Sequence, residues 1–348
     1  MIRWLCDKPK YLNMDAVHSH LADSLRGNHL ANGGPCAKKL EHVLRDLLEI
    51  GSDKALFVAS SGTAALHALT GALCMEHGEL RFATQSYTFP STVVQLLRSS
   101  LVVDIDEGGG PDLALVPDDI DVLIVTNSFG HVVEYQRYLD WAEAKRKLLL
   151  FDNASTPATY YNGVNSLNLG TGSAISLHHT KPIGFGEGGA VIVDRKYENA
   201  VKRCMNYGYD VQKGDLVYSA YGSNYKLPDT SAAFILAYLE RYSWIREKHE
   251  TLYASFARKL RDLSGVRLFP SAVEAHFTSC LPVVFDKPVN TRAFVEKGIH
   301  AHKYYKPLRP TPVASAFYER VICLPLHVDL TEKDLDAYIT AVAAIAQD

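Results

Sequence analysis

Short apolar runs separated by helix-like segments occupy residues 55–194 of the chain. The runs are rich in leucine or β-branched residues and show little polar alternation, which is typical of strands buried on both faces of a sheet. Because most of the intervening segments are helical in pattern, the chain predicts a mainly parallel, doubly wound α/β sheet. The seven runs are ALFVAS (55–60), LRFATQS (80–86), LVVDID (101–106), DVLIVTNSF (121–129), KLLLFDN (147–153), SAISLHH (173–179) and GGAVIVD (188–194).

The final run, GGAVIVD, differs from the others in how it is connected. Only a short lysine- and glycine-containing segment joins it to SAISLHH, too short for a helical crossover. We therefore expect this strand to run antiparallel to its neighbours. Before the sheet, PCAKKLEHVLRDLLEIG predicts a helix that begins at Pro35 and closes at Gly51. Its apolar face consists of Leu40, Val43, Leu44, Leu47 and Leu48.

A second structural unit is expected towards the C-terminus. Residues 229–263 read as one long helix or two, and strand patterns follow in VRLFP, CLPVVFD and VICLPLH. A last helix begins near Thr331, whose spacing to Asp334 indicates a capping box. Its buried stripe is formed by Leu335, Tyr338, Ile339 and Val342. The expected division is a large domain over residues 1–235, which includes the N-terminal segment, and a small C-terminal α/β domain over 236–348.

Composition limits the classes of partner. The 348 residues are 47% apolar and 22% charged, with a net charge of −3, so nothing favours nucleic acid or an anionic membrane. The six cysteines are scattered without a C-x-x-C pair, as in reduced cytosolic proteins. No apolar run resembles a signal peptide or a membrane span. We expect a cytoplasmic protein with a small-molecule partner.

A strand-to-helix turn is the first candidate binding element. In VASSGTAALHAL, Ser61, Gly62 and Thr63 stand where the strand ends and the helix begins. Free N–H groups at a helix start and the helix dipole attract anions, and Gly62 permits close approach to the backbone. An ordinary capped turn explains this motif equally well. The chain lacks the G-x-x-x-x-G-K-[ST] loop, and GFGEGG has neither the spacing nor the following helix of a dinucleotide fingerprint.

Two charged residues mark other strand ends. KLLLFDN ends on Asp152, where ligands gather in open α/β sheets, and a carboxylate there suits a cationic ring nitrogen or a metal. A turn aspartate that caps the next segment is the alternative. Lys181 follows SAISLHH, and partial burial of its amine would make it nucleophilic towards an aldehyde. An inert surface lysine remains the alternative for Lys181 taken alone.

The adjacent His178 and His179 do not favour a metal site. On a strand they point to opposite faces, and no third ligand stands at suitable spacing, so no metal is expected. Together, the anion-binding turn, the acid and the lysine match the phosphate, ring nitrogen and aldehyde of pyridoxal 5′-phosphate. Their order along the chain resembles that of the large domain of fold-type-I pyridoxal enzymes.

The sequence resembles the DegT/DnrJ/EryC1/StrS family of sugar aminotransferases over most of its length. The segments that carry the resemblance occur in the family's order: ANGGP, SSGTAALHAL, SYTFPST, FDNAS, SLHHTK with GEGGAVIVD, GSNYKLPDTSAA and LPLH. The resemblance implies a fold-type-I large domain with a seven-stranded, mostly parallel sheet flanked by helices, plus a smaller C-terminal α/β domain.

The same resemblance implies roles for individual residues. Lys181 would be the Schiff-base lysine, and Asp152 would pair with the pyridine nitrogen. The remaining implied cofactor contacts are Gly62, Thr63 and Ser176 at the phosphate, Phe89 on the ring, Ser155 near the ring hydroxyl and Asn224 reaching the phosphate of a neighbouring subunit. The last contact implies a homodimer with shared active sites. Lys303 and Tyr304, in HKYYKPLRP, would lie near the sugar substrate, although a solvated basic loop is the alternative.

Three positions depart from the family pattern. Ser155 stands where Gln or His is usual, Lys226 replaces the arginine of an NYR motif, and Asn127 occupies the histidine position of an H-x-Y-G segment. These departures concern substrate preference more than the core chemistry.

The implied activity is transfer of an amino group from L-glutamate, through the pyridoxal and pyridoxamine forms of the cofactor, to a nucleotide-linked keto sugar. A 4-keto-6-deoxyhexose is favoured over a 3-keto sugar on family frequency. Amination of a cyclitol or another ketone is an alternative. A sugar dehydratase of the same family would carry histidine in place of Lys181. A non-catalytic pyridoxal phosphate-binding relative and a generic phosphate-binding α/β module complete the alternatives.

Overall fold

The structure is a computed structural model that describes residues 1–6, 10–209 and 219–347. Its main sheet has seven strands in the order β1-β9-β8-β5-β4-β2-β3. The strands are β1 (Lys54–Ala59), β2 (Phe82–Gln85), β3 (Leu101–Val103), β4 (Val122–Thr126), β5 (Leu148–Asp152), β8 (Gly172–Ser176) and β9 (Gly189–Asp194). Each of the seven apolar runs overlaps one of these strands, so the predicted mostly parallel α/β sheet is confirmed.

Strand β9 runs antiparallel to both of its neighbours, β1 and β8, as its short connection predicted. Its side chains alternate between two layers. Ala190 and Ile192 pack with helices α1 (Met14–Arg26), α2 (Pro35–Leu47) and α6 (Asp229–Leu239). Val191 and Val193 pack on the opposite face with α3 (Gly62–His77) and α5 (Glu198–Met205). Both faces are therefore buried, which explains the absence of polar alternation in this strand.

Helix α2 ends earlier than predicted. It begins at Pro35, but its last helical residue is Leu47 and not a residue next to Gly51. Glu49 adopts a left-handed conformation with φ of 51°, and the N–H of Ile50 donates to the carbonyl of Arg45. These features form a Schellman-type turn, which closes the helix without a glycine at that position. Leu40, Leu44 and Leu48 of the predicted apolar face are buried.

Residues 229–263 form two helices, α6 and α7 (Tyr242–Leu260), one of the two readings that the sequence left open. The buried carboxylate of Asp229, at the start of α6, accepts hydrogen bonds from the N–H groups of Cys36 and Ala37 at 2.9 and 3.1 Å. It also accepts one from the Ser24 hydroxyl at 2.6 Å. A single side chain thus ties α6 to the N-terminus of α2 and to the end of α1.

A second, antiparallel sheet contains β10 (Val266–Leu268), β11 (Cys280–Phe285) and β12 (Val321–Pro325) in that order. Three of its associated helices are α8 (Arg292–Val295), α9 (Pro312–Arg320) and α10 (Glu332–Gln347). The predicted capping box is present, since the N–H of Thr331 donates to Asp334 at 2.8 Å and the N–H of Asp334 donates to the Thr331 hydroxyl at 3.4 Å. The remaining elements are α4 (Tyr135–Lys145) and a hairpin of β6 (Tyr160–Tyr161) and β7 (Val164–Asn165).

The division of the chain at 235/236 stays a proposal. That position lies within α6, and Ile2 near the N-terminus pairs with Ile299 beside the second sheet. In the described part of the chain, no helix combines the length and the apolar composition that crossing a membrane requires. The carboxyl ends of β5 and β8 and the turn from β1 into α3 lie at the same edge of the main sheet, where the candidate site is found.

Candidate active site

A cavity of about 660 Å³ opens at this edge of the main sheet and brings together most of the residues that the sequence singled out. Its lining includes Gly62, Thr63, Phe89, Asp152, Ser155, Ser176, Lys181 and Tyr304. The volume falls in the usual range for small-molecule sites. Asn224 and Lys303 do not belong to the lining.

The candidate anion-binding turn, Ser61–Thr63, lines the cavity at the start of α3. The Ser61 hydroxyl caps the helix by accepting from the N–H of Ala64 at 3.0 Å. The N–H groups of Gly62 and Thr63, in the first turn, have no acceptor within the helix and so are available to an anion. Gly62 faces Ser176 so closely that an added Cβ would lie 2.9 Å from the Ser176 Cβ. Glycine is therefore required here by space.

Asp152 is the last residue of β5 and is only 4% exposed. One of its carboxylate oxygens accepts from the N–H of Ala154 at 3.1 Å. Burial raises the pKa of Asp152, while that hydrogen bond and the nearby charge of Lys181 act in the opposite direction. A buried carboxylate of this kind is stabilised by a cation, and the open cavity in front of it is where a cationic ligand group can lie.

Lys181 also lines the cavity. Its Nζ donates a hydrogen bond to the Ser155 hydroxyl at 2.7 Å. Burial lowers the pKa of Lys181, and the neighbouring Cys280 and Asp152 partly counteract that effect. A lowered pKa increases the fraction of neutral, nucleophilic amine near neutral pH. The arrangement thus provides an amine nucleophile and a buried acid facing one cavity.

The two histidines before Lys181 have separate surroundings. His178 lines the cavity, with its Nδ1 2.9 Å from the Thr180 hydroxyl and its Nε2 3.5 Å from Glu187. The ring of His179 packs against Phe185 at a centroid distance of 5.2 Å. The two rings therefore have different neighbours.

A different group of potential metal ligands was not anticipated from the sequence. Within the described residues, ligand atoms of Cys6, His327 and Asp329 lie within 4.8 Å of one another. The Tyr11 hydroxyl also donates to Asp329. No spacing rule could find this group, because its members come from opposite ends of the chain.

Aromatic side chains form a wall that sequence reasoning identified only in part. Phe129 and Tyr305 stack with a centroid distance of 5.4 Å and an interplanar angle of 3°, and Phe89 meets Tyr305 edge to face at 6.1 Å. Trp4 and Tyr304 also line the cavity, with centroids 5.9 Å apart. The available signals were the paired tyrosines of HKYYKP and the aromatic residue that follows β4.

Lys303 and Asn224 lie elsewhere. The Nζ of Lys303 donates to the carbonyls of Val289 and Glu319 at 2.6 and 2.8 Å. Asn224 is exposed, and its backbone pairs with Asn206. A substrate role for Lys303 and an intersubunit role for Asn224 stay proposals.

Sequence comparison identifies the family. A model of one aminotransferase family matches residues 14–343, nearly the whole chain. The chain belongs to the DegT/DnrJ/EryC1/StrS aminotransferase family. It is therefore an enzyme of the aminotransferase class, and the family implies pyridoxal phosphate as its cofactor.

Several known aminotransferases are similar to this chain over nearly their full lengths. The dTDP-4-amino-4,6-dideoxy-D-glucose transaminase of Shigella dysenteriae is 24% identical, with 92% of this chain and 93% of that protein aligned. The structure of DesI in the presence of its TDP-sugar product has a TM-score of 0.84 at 22% identity, covering 99% of this chain and 93% of that one. Helicobacter pylori PseC, an aminotransferase involved in pseudoaminic acid biosynthesis, has a TM-score of 0.82 at 21% identity over 99% of both chains. The structural likenesses establish the shared fold.

The cavity fits the cofactor that the aminotransferase family implies. An added Cβ at Gly62 would lie 2.9 Å from the Ser176 Cβ, so glycine allows the start of α3 and the end of β8 to lie close together beside the cavity. The buried acid at Asp152 and the amine at Lys181 supply a partner for a cationic ring nitrogen and a nucleophile for a carbonyl carbon.

Proposed function

We propose that this protein is a pyridoxal phosphate-dependent aminotransferase that moves an amino group from L-glutamate to a nucleotide-linked keto sugar, giving an amino sugar nucleotide. A 4-keto-6-deoxyhexose is the favoured acceptor, with a 3-keto sugar as the second choice. The observation that carries the proposal is the arrangement of Lys181, Asp152 and the Gly62–Ser176 contact around one cavity. Six free cysteines support a reducing, cytoplasmic setting.

Each residue has a role that follows from its position. The N–H groups of Gly62 and Thr63, with the Ser176 side chain, would hold the phosphate, and Phe89 would contact the ring. When bound, pyridoxal phosphate supplies an electrophilic carbonyl and an electron sink. Asp152 would keep the ring nitrogen protonated, because a buried carboxylate is stabilised by a neighbouring cation. The Lys181 amine would act as nucleophile and then carry a proton to or from the donor's α-carbon.

The sugar substrate is proposed from two observations. The aligned Shigella dysenteriae relative is named for a dTDP-linked amino sugar, and DesI is described with its TDP-sugar product. The aromatic wall of Trp4, Phe89, Phe129, Tyr304 and Tyr305 provides flat apolar faces suited to a sugar ring. Ser155, shorter than the usual Gln or His, is the departure from the family pattern that lies inside the cavity and so bears most directly on substrate choice.

A homodimer with shared sites is part of the proposal. Asn224 is exposed outside the cavity of its own chain, as expected of a side chain that serves a neighbouring subunit. Phe89, at the cavity, is 52% exposed and so remains accessible to the cofactor ring and to a neighbouring subunit. Light scattering of the purified protein tests the dimer, and mixing inactive Asn224→Ala and Lys181→Ala variants tests sharing, since a mixed dimer would regain one complete site.

The decisive experiment is visible absorbance of the purified protein with pyridoxal phosphate, before and after L-glutamate, beside Lys181→Ala. A yellow band that gives way to near-ultraviolet absorption on adding glutamate supports the proposal. A band that glutamate leaves unchanged would point to another donor or to another reaction. A protein that stays colourless would support the generic phosphate-binding module and overturn the assignment of Lys181.

Acceptor identity is tested separately once glutamate reacts. The pyridoxamine form of the protein is mixed with nucleotide-linked 4-keto and 3-keto sugars and with a cyclitol ketone, and return of the yellow band is timed. Fastest return with the 4-keto-6-deoxyhexose is the expected result. Return with the cyclitol ketone alone would establish the alternative substrate class.

A further inference from the structure

Lys10 lies beneath the segment that carries Lys181. It is 8% exposed, and its Nζ donates hydrogen bonds to the carbonyl of Lys181 at 2.8 Å and to the carbonyl of Gly184 at 2.6 Å. The two acceptors belong to the lysine loop, residues 177–188, which connects β8 to β9. A residue near the N-terminus therefore contacts the main chain of the proposed catalytic lysine directly.

A second buried side chain completes the support of this loop. The hydroxyl of Tyr238, in α6, donates to the carbonyl of Pro182 at 2.9 Å. The Lys10 Nζ lies over the Tyr238 ring, 4.7 Å from its centroid, within range of a cation–π interaction. Three of the four carbonyls from Lys181 to Gly184 are thus held by two buried side chains. Because so many of its main-chain carbonyls are hydrogen-bonded to buried side chains, the lysine loop has few alternative conformations.

The surroundings of Lys10 differ from those of another buried lysine in the chain. Lys54, 3% exposed, pairs with the carboxylate of Asp194 and donates to the carbonyl of Gly170 at 2.6 Å, in an ordinary structural ion pair. Lys10 instead directs its amine to the carbonyls of the lysine loop. Burial lowers the pKa of Lys10 to about 7. Both the charged and the neutral amine keep at least two N–H donors, so both contacts are available in either form.

We propose that Lys10 is a positioning residue for Lys181: its amine fixes the backbone of the lysine loop and so holds the Lys181 side chain on Ser155, facing Asp152. The role in catalysis rests on the proposed function. The contacts of Lys10 with the lysine loop are independent of the proposed function, because they concern the conformation of the chain without cofactor. Proper orientation of a nucleophile contributes strongly to the reaction rate. A loosened loop would therefore lower kcat more than it lowers the affinity for the amino donor.

The test compares Lys10→Met, Tyr238→Phe and the control Lys54→Met with the wild type. Methionine keeps most of the length of lysine and removes its donors, and phenylalanine keeps the ring and removes one donor. The first readout is hydrogen exchange of peptides covering the lysine loop, measured without pyridoxal phosphate. The second is the rate at which the visible band appears when pyridoxal phosphate is added. The third is kcat and KM for L-glutamate.

The expected result is loop exchange about tenfold faster in Lys10→Met, consistent with loss of a hydrogen bond's stabilisation. The visible band should form more slowly, and kcat should fall by about 10- to 100-fold with little change in KM. Tyr238→Phe should change loop exchange, band formation and kcat in the same direction but by smaller factors. If Lys10→Met does not fold, Tyr238→Phe serves as the test variant. Lys54→Met should have a lower melting temperature, but hydrogen exchange in its lysine loop should not increase more than in the rest of the chain.

Unchanged loop exchange in both Lys10→Met and Tyr238→Phe would overturn the inference. So would equal effects of Lys10→Met and Lys54→Met on the loop and on kcat, because these would indicate only general destabilisation. A wild-type protein that never develops a visible band would refute the proposed function, while the exchange measurement would still show whether Lys10 holds the loop.

Discussion

The Lys181 amine donates a 2.7 Å hydrogen bond to the hydroxyl of Ser155. Ser155 lies just past Asp152 at the end of β5, and Lys181 follows β8, the neighbouring strand in the sheet. Parallel pairing of the two strands therefore brings the proposed nucleophile within reach of Ser155, one of the three residues at which this chain departs from the family pattern. The contact couples the protonation of Lys181 to a serine in a position usually held by Gln or His.

Substituting Ser155 tests that coupling. Because a hydroxyl that accepts from an ammonium favours the charged form, Ser155→Ala should lower the pKa of Lys181 further below its ordinary value. The measurement is the pH dependence of Lys181 acylation in protein without cofactor, followed by peptide mass spectrometry. Ser91→Ala, which removes another cavity-lining hydroxyl, should leave the profile unchanged. An unchanged profile in Ser155→Ala would contradict the coupling.

Asp152→Asn should separate activity from stability. Since burial raises the pKa of Asp152, its ionised form is costlier in the folded than in the unfolded state at neutral pH, and the stability it contributes at low pH is lost as pH rises through the raised pKa. The neutral asparagine should therefore give a cofactor-free protein with an equal or higher melting temperature at neutral pH. Turnover should fall by about 100-fold or more, a size typical of losing a positioned acid–base group.

The control for this substitution is Asp106→Asn, which removes an ion pair with Arg137 near the surface. It should alter stability by less than about 1 kcal/mol and leave turnover unaffected. Retention of full turnover in Asp152→Asn would remove Asp152 from the catalytic residues.

Gly62→Ala should weaken pyridoxal phosphate binding by about tenfold or more, about 1.4 kcal/mol. Alanine is the better helix former, but its Cβ would lie 2.9 and 3.2 Å from the Cβ and Cα of Ser176, neither of which can rotate away. A titration followed by absorbance measures the affinity. Gly108→Ala is the matched control, because its Cβ would meet only the Asp106 side chain at 3.1 Å. Equal affinities in the two variants would show that the turn does not contact the phosphate.

Glu41 should make stability depend on pH. Its carboxylate accepts from the N–H of Val58 on the edge strand β1 at 3.1 Å, and burial raises its pKa to about 7. A carboxyl whose folded pKa exceeds its unfolded pKa contributes stability that is present at low pH and lost as pH rises towards 7. Glu41→Gln should remove up to about 3 kcal/mol of that dependence between pH 4.5 and 7.

Urea unfolding at several pH values measures this effect as the difference between wild type and Glu41→Gln. The difference isolates Glu41 from the buried His131, His249 and His276, whose lowered pKa values act in the opposite direction. A constant difference across pH 4.5–7 would show that Glu41 titrates as an exposed carboxyl.

The sequence by itself determined the seven strands of the main sheet, the antiparallel direction of β9 and the capped start of α10. These features depend on neighbouring residues: an unbroken apolar run, a connection too short for a helix, and a threonine three residues before an aspartate. The same local logic placed Gly62, Asp152 and Lys181 at strand ends, and strand ends in such sheets converge on one edge.

Tertiary structure decided what depends on distant parts of the chain meeting. The strand order, the stacking of Phe129 on Tyr305 and the cluster of Cys6, His327 and Asp329 leave no periodic signal in the sequence. The contact of Lys10 with the lysine loop is of the same kind, because it joins residues more than a hundred positions apart. Such contacts arise from how packed layers bring loops together, which no single segment of the chain encodes. The sequence thus determined which groups could act, and the packing of the folded chain decided which of them meet.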